Sequence, residues 1–295
     1  MLDRGYSVRA LARNPDKLAD VPWRDGVEVA RGDLADPDSL SAAFEGTDVV
    51  YYLVHSMGSS ADFVAAEAES ARNVVAAANR AGVKRLVYLG GLHPSGVELS
   101  PHLRSRVAVG EILLDSGIET VVLQAGIVIG SGSASFEMMR HLTNRLPAMT
   151  TPKWVHNKIQ PIAIHDVLHY LAEAATAEMP ASRTWDIGGP DVLEYGDAMQ
   201  VYAQVAGLRR RLIVAIPFLT PTIASLWIGL VTPMPPGLAR PLIESLEVDA
   251  VRNEHDIDTV IGPPPRGATG YRDAIADALK NGPLPSDPQW AKAGR

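Results

Sequence analysis

Short runs of Val, Ile and Leu, separated by amphipathic stretches, restrict what this chain can fold into more than any other feature it carries. "SVRALA", "VEVARGD", "DVVYYLV", "RLVYLGG" and "TVVLQAGIVIG" recur between segments such as "ADFVAAEAESARNVVAAANRAG". The runs show little polar alternation, as strands covered on both faces do, and the segments between them suit crossover helices. The expectation is a doubly wound parallel α/β sheet. One unit reads whole: in "AAEAESARNVVAAANRAGVKRLVYLGG" a helix stops at Gly82 and a buried strand follows.

The opening, "MLDRGYSVRALARNPDKL", begins that rhythm halfway. Leu2, Asp3 and Arg4 with Gly5 read as the end of a helix and its stop, and "YSVRALA" then reads as a strand. A strand that should feed the helix is missing from the pattern. After Gly130 the rhythm loosens into "SGSASFEMMRHLTNRLPAMTTPKWV" and tightens again at "IQPIAIHDVLHYLAEAAT" and "TWDIGGPD". We therefore expect one nucleotide-fold core over residues 1–130 plus 158–190. A smaller lobe takes 131–157 plus 191–280, and 281–295 form a polar tail.

Charge and composition exclude several classes. A formal net charge of −7 leaves no electrostatic footprint for nucleic acid, and the lone basic run, "LRRRL", reads as a solvated helix end. With no cysteine there is no disulfide framework, thiol nucleophile or Cys-based metal site, which is compatible with a cytoplasmic location. The uncharged stretch from Leu212 to Ala239 is interrupted by Pro217, Pro221, Pro233, Pro235 and Pro236. Only about ten unbroken residues remain, half of what a bilayer helix needs, so a pocket wall or buried helix is expected and membrane contact is not.

Several stretches, in this order, resemble the extended and atypical short-chain dehydrogenase/reductase superfamily, and within it the NAD(P)H-binding, NmrA-like branch. They are "VRALARNPDKL", "GDLADPDSLSAAFEGTDVVYYLVH", "RNVVAAANRAGVKRLVYLGGL", "LLDSGIETVVLQAGIVIG", "IQPIAIHDVLHYL" and "TWDIGGPDVLEYGDAM". The resemblance implies a Rossmann-like sheet whose first strand and Gly-rich turn, G-x-x-G-x-x-G, cradle the dinucleotide pyrophosphate. Neither is present at the start of this sequence, so an N-terminal truncation is expected, and with it two unpaired edges beside "SVRALA" and "DVVYYLV".

The resemblance also implies a set of cofactor contacts. Arg13, after the first of these strands, stands where an acidic residue would bind a ribose 2′-hydroxyl and an Arg a 2′-phosphate, which favours NADP(H) over NAD(H). Lys17 adds charge there or is simply solvated. Asp33 and Leu34 match the turn that lines the adenine, whereas helix capping falls to Asp36 before Pro37. Leu53, Val54 and His55 end the strand that runs along the adenosine ribose.

Register with the superfamily's Y-x-x-x-K motif puts His102 and Arg106 on the catalytic Tyr and Lys positions, while Gly90 and Gly91 stand where its Ser does. Two outcomes follow. Either His102 replaces the Tyr as acid/base while Arg106 binds cofactor, making the protein a reductase of a small organic substrate, or it is a non-catalytic dinucleotide-sensing regulator with a protein partner. Gln124, Ala125 and Gly126 resemble the L-R-P-G turn that passes the nicotinamide. In "HDVLH", His165 and His169 have metal-ligand spacing, but Asp166 is expected to cap a helix, His165 to end a strand, and no metal is expected. Met138, Met139 and Trp154 either line an apolar pocket or, as is commoner for such residues, pack the core.

Overall fold

The computed structural model describes residues 1–54, 62–216, 234 and 236–280. His55, most of the apolar stretch (217–233 and 235) and the tail 281–295 fall outside the described residues. The first half alternates strand and helix as the rhythm predicts. It contains β1 (Arg9–Ala12), β2 (Glu28–Arg31), α1 (Pro37–Phe44), β3 (Val49–Tyr52), α2 (Asp62–Ala81), β4 (Arg85–Gly91), α3 (Pro101–Leu114) and β5 (Glu119–Ala125). Local chemistry fixes the boundaries. Asp36 Oδ1 accepts from the Asp38 N–H at 3.2 Å ahead of Pro37, and Gly82, with φ of 69°, lets the chain leave α2 through the left-handed region.

The later half adds β6 (Val128–Ile129), α4 (Ala134–Arg145), β7 (Ala148–Thr151), β8 (Lys158–Ile159), β9 (Ile162–Ala163) and α5 (Ile164–Glu173). It continues with β10 (Arg183–Ile187), β11 (Leu193–Glu194), α6 (Tyr195–Val205), β12 (Leu212–Ala215), α7 (Pro236–Ser245) and α8 (Tyr271–Lys280). At the far end of the apolar stretch 212–239, Pro236–Ser245 is a helix with Leu238 and Ala239 buried, as the buried-helix expectation has it, whereas Leu212–Ala215 is a strand parallel to β7. Its Leu212 and Val214 point to solvent, which is the period-2 alternation of a one-sided strand.

Two parallel sheets form the nucleotide-fold core. One has the order β10-β5-β4-β3 and the other is the pair β1-β2, and among the described residues no backbone pairing joins them. What holds them together is side chains: Leu11 and Ala30 from the pair and Val50 and Tyr52 from the larger sheet share one apolar cluster with Leu40, Phe44 and the buried face of α2. On the opposite face Val87, Val121, Leu123 and Trp185 pack under α5 through Val167 and Tyr170. Strand residues thus alternate between α2/α3 and α5, which buries Arg85–Tyr88 of β4 and Thr120–Leu123 of β5. A third cluster gathers Phe136, Trp154, Tyr195 and Tyr202 with Ile129, Ile159 and Ala163. Met138 and Met139 lie in it at 1% exposure and Trp154 at 5%, so the core-packing alternative holds for all three.

Two local expectations change. His165 and Asp166 both belong to α5, not to a strand end and a cap. Asp166 is buried because the loop before α8 needs an acceptor: it takes the Thr269 N–H at 2.8 Å and the Thr269 hydroxyl at 3.3 Å.

Candidate functional site

Parallel register sets three residues abreast at the carboxyl end of the larger sheet. Gly90 of β4 pairs with Gln124 of β5, which pairs with Asp186 of β10; one step earlier stand Tyr88, Val122 and Thr184. All six share the face covered by α3. Where the row shrinks to Gly90, and where α3 presents Gly110, the covering is incomplete and a cavity of about 310 Å³ remains. Ligands in open α/β sheets bind beyond the carboxyl ends of the strands, so this is the expected place for a substrate.

Arg106 enters the cavity from α3. Its Nη2 donates to the Leu89 carbonyl at 2.5 Å, and its guanidinium lies 5.9 Å from the Tyr88 ring centroid. The Tyr88 hydroxyl donates to the Arg106 carbonyl at 3.2 Å, and burial raises the phenol pKa above its usual value against a smaller opposing pull from the Arg106 charge. Gly91 sits against the same helix, and a Cβ there would stand 3.4 Å from Leu103 Cδ2 and 3.7 Å from Arg106 Nε.

Sequence patterns did not single out His93 or the segment 249–256. His93 lies just past β4 with its Nε2 3.2 Å from Gln124 Nε2 and its Nδ1 3.3 Å from the Pro94 carbonyl oxygen. Residues 249–256 run across the strand ends as a strap. Ala250 exchanges main-chain hydrogen bonds with Lys158 and Gln160, each at 2.8 Å, and Arg252 N–H donates to Gln160 Oε1 at 3.0 Å. Asn253 then reaches Asp186 Oδ2 with its N–H at 2.7 Å and its amide at 3.1 Å, while Glu254 Oε1 accepts the Asp186 N–H at 2.7 Å. A loop carrying "RNEH" has no local signature; only its partner strand reveals it.

The other expected residues distribute as follows. His102, in the first turn of α3, is 8% exposed and is not among the cavity-lining residues. Gly126 faces away from the cavity, and a Cβ on it would meet the Gln160 carbonyl oxygen at 2.5 Å, so close backbone packing requires that glycine. Arg13 and Lys17 are exposed after β1, and Lys17 lies in a single helical turn capped by Asn14. Asp33 Oδ1 accepts the Ala35 N–H at 3.0 Å, and the Leu34 carbonyl accepts from Asn73 Nδ2 at 2.8 Å. Leu53 and Val54, at 51% and 55% exposure, are bare apolar residues at the carboxyl end of β3.

Exposed apolar residues thus stand at the end of β3, an exposed Arg past β1, and two glycines at the end of β4. Among the described residues no Gly-rich turn leads from a strand into a helix to hold a pyrophosphate. The residues 1–128 match a family model described as NAD(P)H-binding. Cinnamoyl-CoA reductase 1 of Oryza sativa subsp. japonica is 36% identical over 94 residues, which is 30% of this chain and 28% of that protein. The chain thus matches little more than a quarter of that relative's length. Triphenylmethane reductase of Citrobacter sp., solved with NADP(H), superposes with a TM-score of 0.69 at 20% identity over 92% of this chain and 90% of that one. The NADPH-dependent quinone oxidoreductase QOR2 of Escherichia coli gives 0.70 at 18% identity over 91% and 89%. The doubly wound parallel α/β fold and the NAD(P)H-binding domain are those the motifs implied.

Proposed function

We propose, from the premise that residues 1–128 form an NAD(P)H-binding domain, that the protein is an oxidoreductase of the short-chain dehydrogenase/reductase type. It takes NADP(H) in preference to NAD(H) and reduces a small organic substrate in the cavity between α3 and the β4–β5–β10 strand ends. The observation that carries this reading is that cavity, about 310 Å³ and lined by Arg106, Gln124 and Asp186 where ligands of this fold gather. Its size is at the small end of the roughly 300–1,000 Å³ typical of ligand pockets, which suits a compact substrate.

When bound, NADPH supplies a hydride from its nicotinamide C4. Arg13, exposed past β1, pairs with the 2′-phosphate, with Lys17 adding charge beside it. Asp33 and Leu34 border the adenine, and Leu53, Val54 and His55 follow the ribose. Arg106 holds the end of β4 through Leu89 and presents positive charge to the nicotinamide side, where Gly90 and Gln124 form the wall.

Fluorescence titration of the full chain with NADPH and NADH tests the reading. Arg13→Glu is expected to weaken NADPH at least tenfold, about 1.4 kcal/mol, while leaving NADH within about twofold. Equal loss for both cofactors removes Arg13 from the 2′-phosphate, and no saturable binding of either removes the reading.

A further inference from the structure

We infer that His93, and not His102, carries the proton at this site, with Gln124 as the residue that positions its ring. The inference rests on the oxidoreductase reading above. With the Gln124 amide N–H donated to Nε2, the neutral imidazole bears its proton on Nδ1 and gives it to the Pro94 carbonyl. Turning the Gln124 amide presents its Oε1, which accepts from a protonated Nε2. One neighbour therefore serves both charge states of the ring, and a substrate oxygen that takes the place of the amide meets Nε2 directly.

Four other polar groups of the cavity, Arg106, Asp186, Glu254 and Tyr88, already have partners. Arg106 donates to Leu89, and a guanidinium keeps its protons throughout the working range. Asp186 accepts twice from Asn253, and Glu254 accepts the N–H groups of Asp186 and Asp256. Tyr88 spends its hydroxyl on the Arg106 carbonyl, and burial makes that phenol a weaker acid. The His93 imidazole brings to this lining one ring nitrogen that can donate and one that can accept, beside a neighbour that can match either state.

The charged groups that line the cavity with His93 also select the substrate. Glu111 and Arg106 come from α3, Asp186 from β10 and Glu254 from the strap. Three carboxylates against one guanidinium disfavour an anion, and on the oxidoreductase reading a neutral substrate whose oxygen takes a proton from His93 is an aldehyde or ketone. Bound NADPH would supply the hydride to the substrate's carbonyl carbon, the C=O π pair would move to oxygen, and that oxygen would take the Nε2 proton of the protonated His93 ring. The products are an alcohol and NADP⁺, and the neutral ring regains a proton from solvent.

The test uses the full chain with ¹⁵N-labelled histidine, cyclohexanone as probe, and NADPH. Without cofactor, neutral His93 should show the Nδ1–H tautomer, and cyclohexanone should shift its ring signals, assigned by their loss in His93→Gln. Gln124→Leu should mix the two neutral tautomers without unfolding the protein. With NADPH, His93→Gln should lower kcat for cyclohexanone about 100-fold or more while NADPH Kd stays within about twofold, and His102→Asn should stay within about threefold of the parent. The inference is overturned if His93 signals do not move with cyclohexanone, or if His93→Gln retains kcat within threefold. If the parent binds NADPH and does not reduce cyclohexanone, the oxidoreductase reading fails for this probe and the imidazole titration alone decides the role of His93.

Discussion

The β1–β2 pair and the β10-β5-β4-β3 sheet carry the same kind of sequence and hold together by different means. In the larger sheet, β4 and β5 are each seven residues long, paired on both sides, and include Leu86, Val87, Val121 and Leu123 at zero exposure. In the pair, four-residue strands are all at least partly exposed, and no described strand pairs with the free side of β1. Anchoring there falls to side chains. Arg9 donates to the carbonyls of Ala43 and Glu45 at the end of α1, at 2.9 and 2.7 Å, and forms a 2.8 Å ion pair with Glu28. Apolar runs of equal appearance thus differ in what they contribute, because a strand's worth is set by its neighbours.

Leu123→Ala in β5 is the sharpest way to break that contrast. Removing a buried Leu from a paired strand between two covered faces should cost about 2–5 kcal/mol, whereas Leu11→Ala in β1 should cost about 1 kcal/mol or less because its site is partly open. Urea unfolding of both variants measures the difference. Equal costs would mean that the pair is locked as firmly as the sheet.

Arg9→Ala comes next, at about 1 kcal/mol, since it removes a charge-assisted cap from α1 and a half-exposed ion pair worth little by itself. The loss should appear first as faster amide exchange in β1, β2 and α1, with β4 and β5 unchanged. Uniform acceleration across both sheets would show that they open as one unit.

Tyr51 reports on the other exposed edge. Its hydroxyl donates to the Leu171 carbonyl at 2.7 Å, and burial pushes its pKa up to about 12 from 10.0. An acid with a raised folded pKa ionises more readily when unfolded, so stability is lost as pH rises from about 10 towards about 12. Tyr51→Phe should be less stable by about 0.5–1.5 kcal/mol at pH 8 through the lost hydrogen bond, and the deficit should shrink as pH climbs past 10. Parallel stability curves for the two proteins across that range would show that the edge is wetter than its neighbours suggest.

Much of the fold was legible, because Val-, Ile- and Leu-rich runs between helical segments admit few arrangements, and Asp36–Pro37 and Gly82 mark boundaries by local chemistry. The site was less so. Arg106, Gly90 and Gln124 were found through register with known motifs and do line one cavity. His93 and Asn253 were not, since they are brought to Gln124 and Asp186 by a loop and a strap from 31 and 67 residues away. Asp166 misled for the same reason: a carboxylate near a helix start reads as a cap until its partner, Thr269, 103 residues on, is seen.

The smallest expected effect reverses the order of the two regions. A Cβ on Gly90 would find Tyr88 Cε1 at 3.5 Å, the Leu123 carbonyl oxygen at 3.6 Å and Gln124 Cγ at 3.7 Å, all ordinary contacts, and its φ is not positive. In the looser pair, a Cβ on Gly32 would meet Leu11 Cδ1 at 2.6 Å and the Ser39 carbonyl oxygen at 3.3 Å. Gly32→Ala should therefore cost about 1 kcal/mol, with Leu11 giving way, while Gly90→Ser in the tightly built sheet should change stability by less than about 0.5 kcal/mol. The tight sheet tolerates the addition because its carboxyl end opens onto the cavity, and the hydroxyl would project beside Gln124. Thermal unfolding of the two variants decides it: a large loss for Gly90→Ser would mean that the cavity closes in solution, and the site built around it would have to be redrawn.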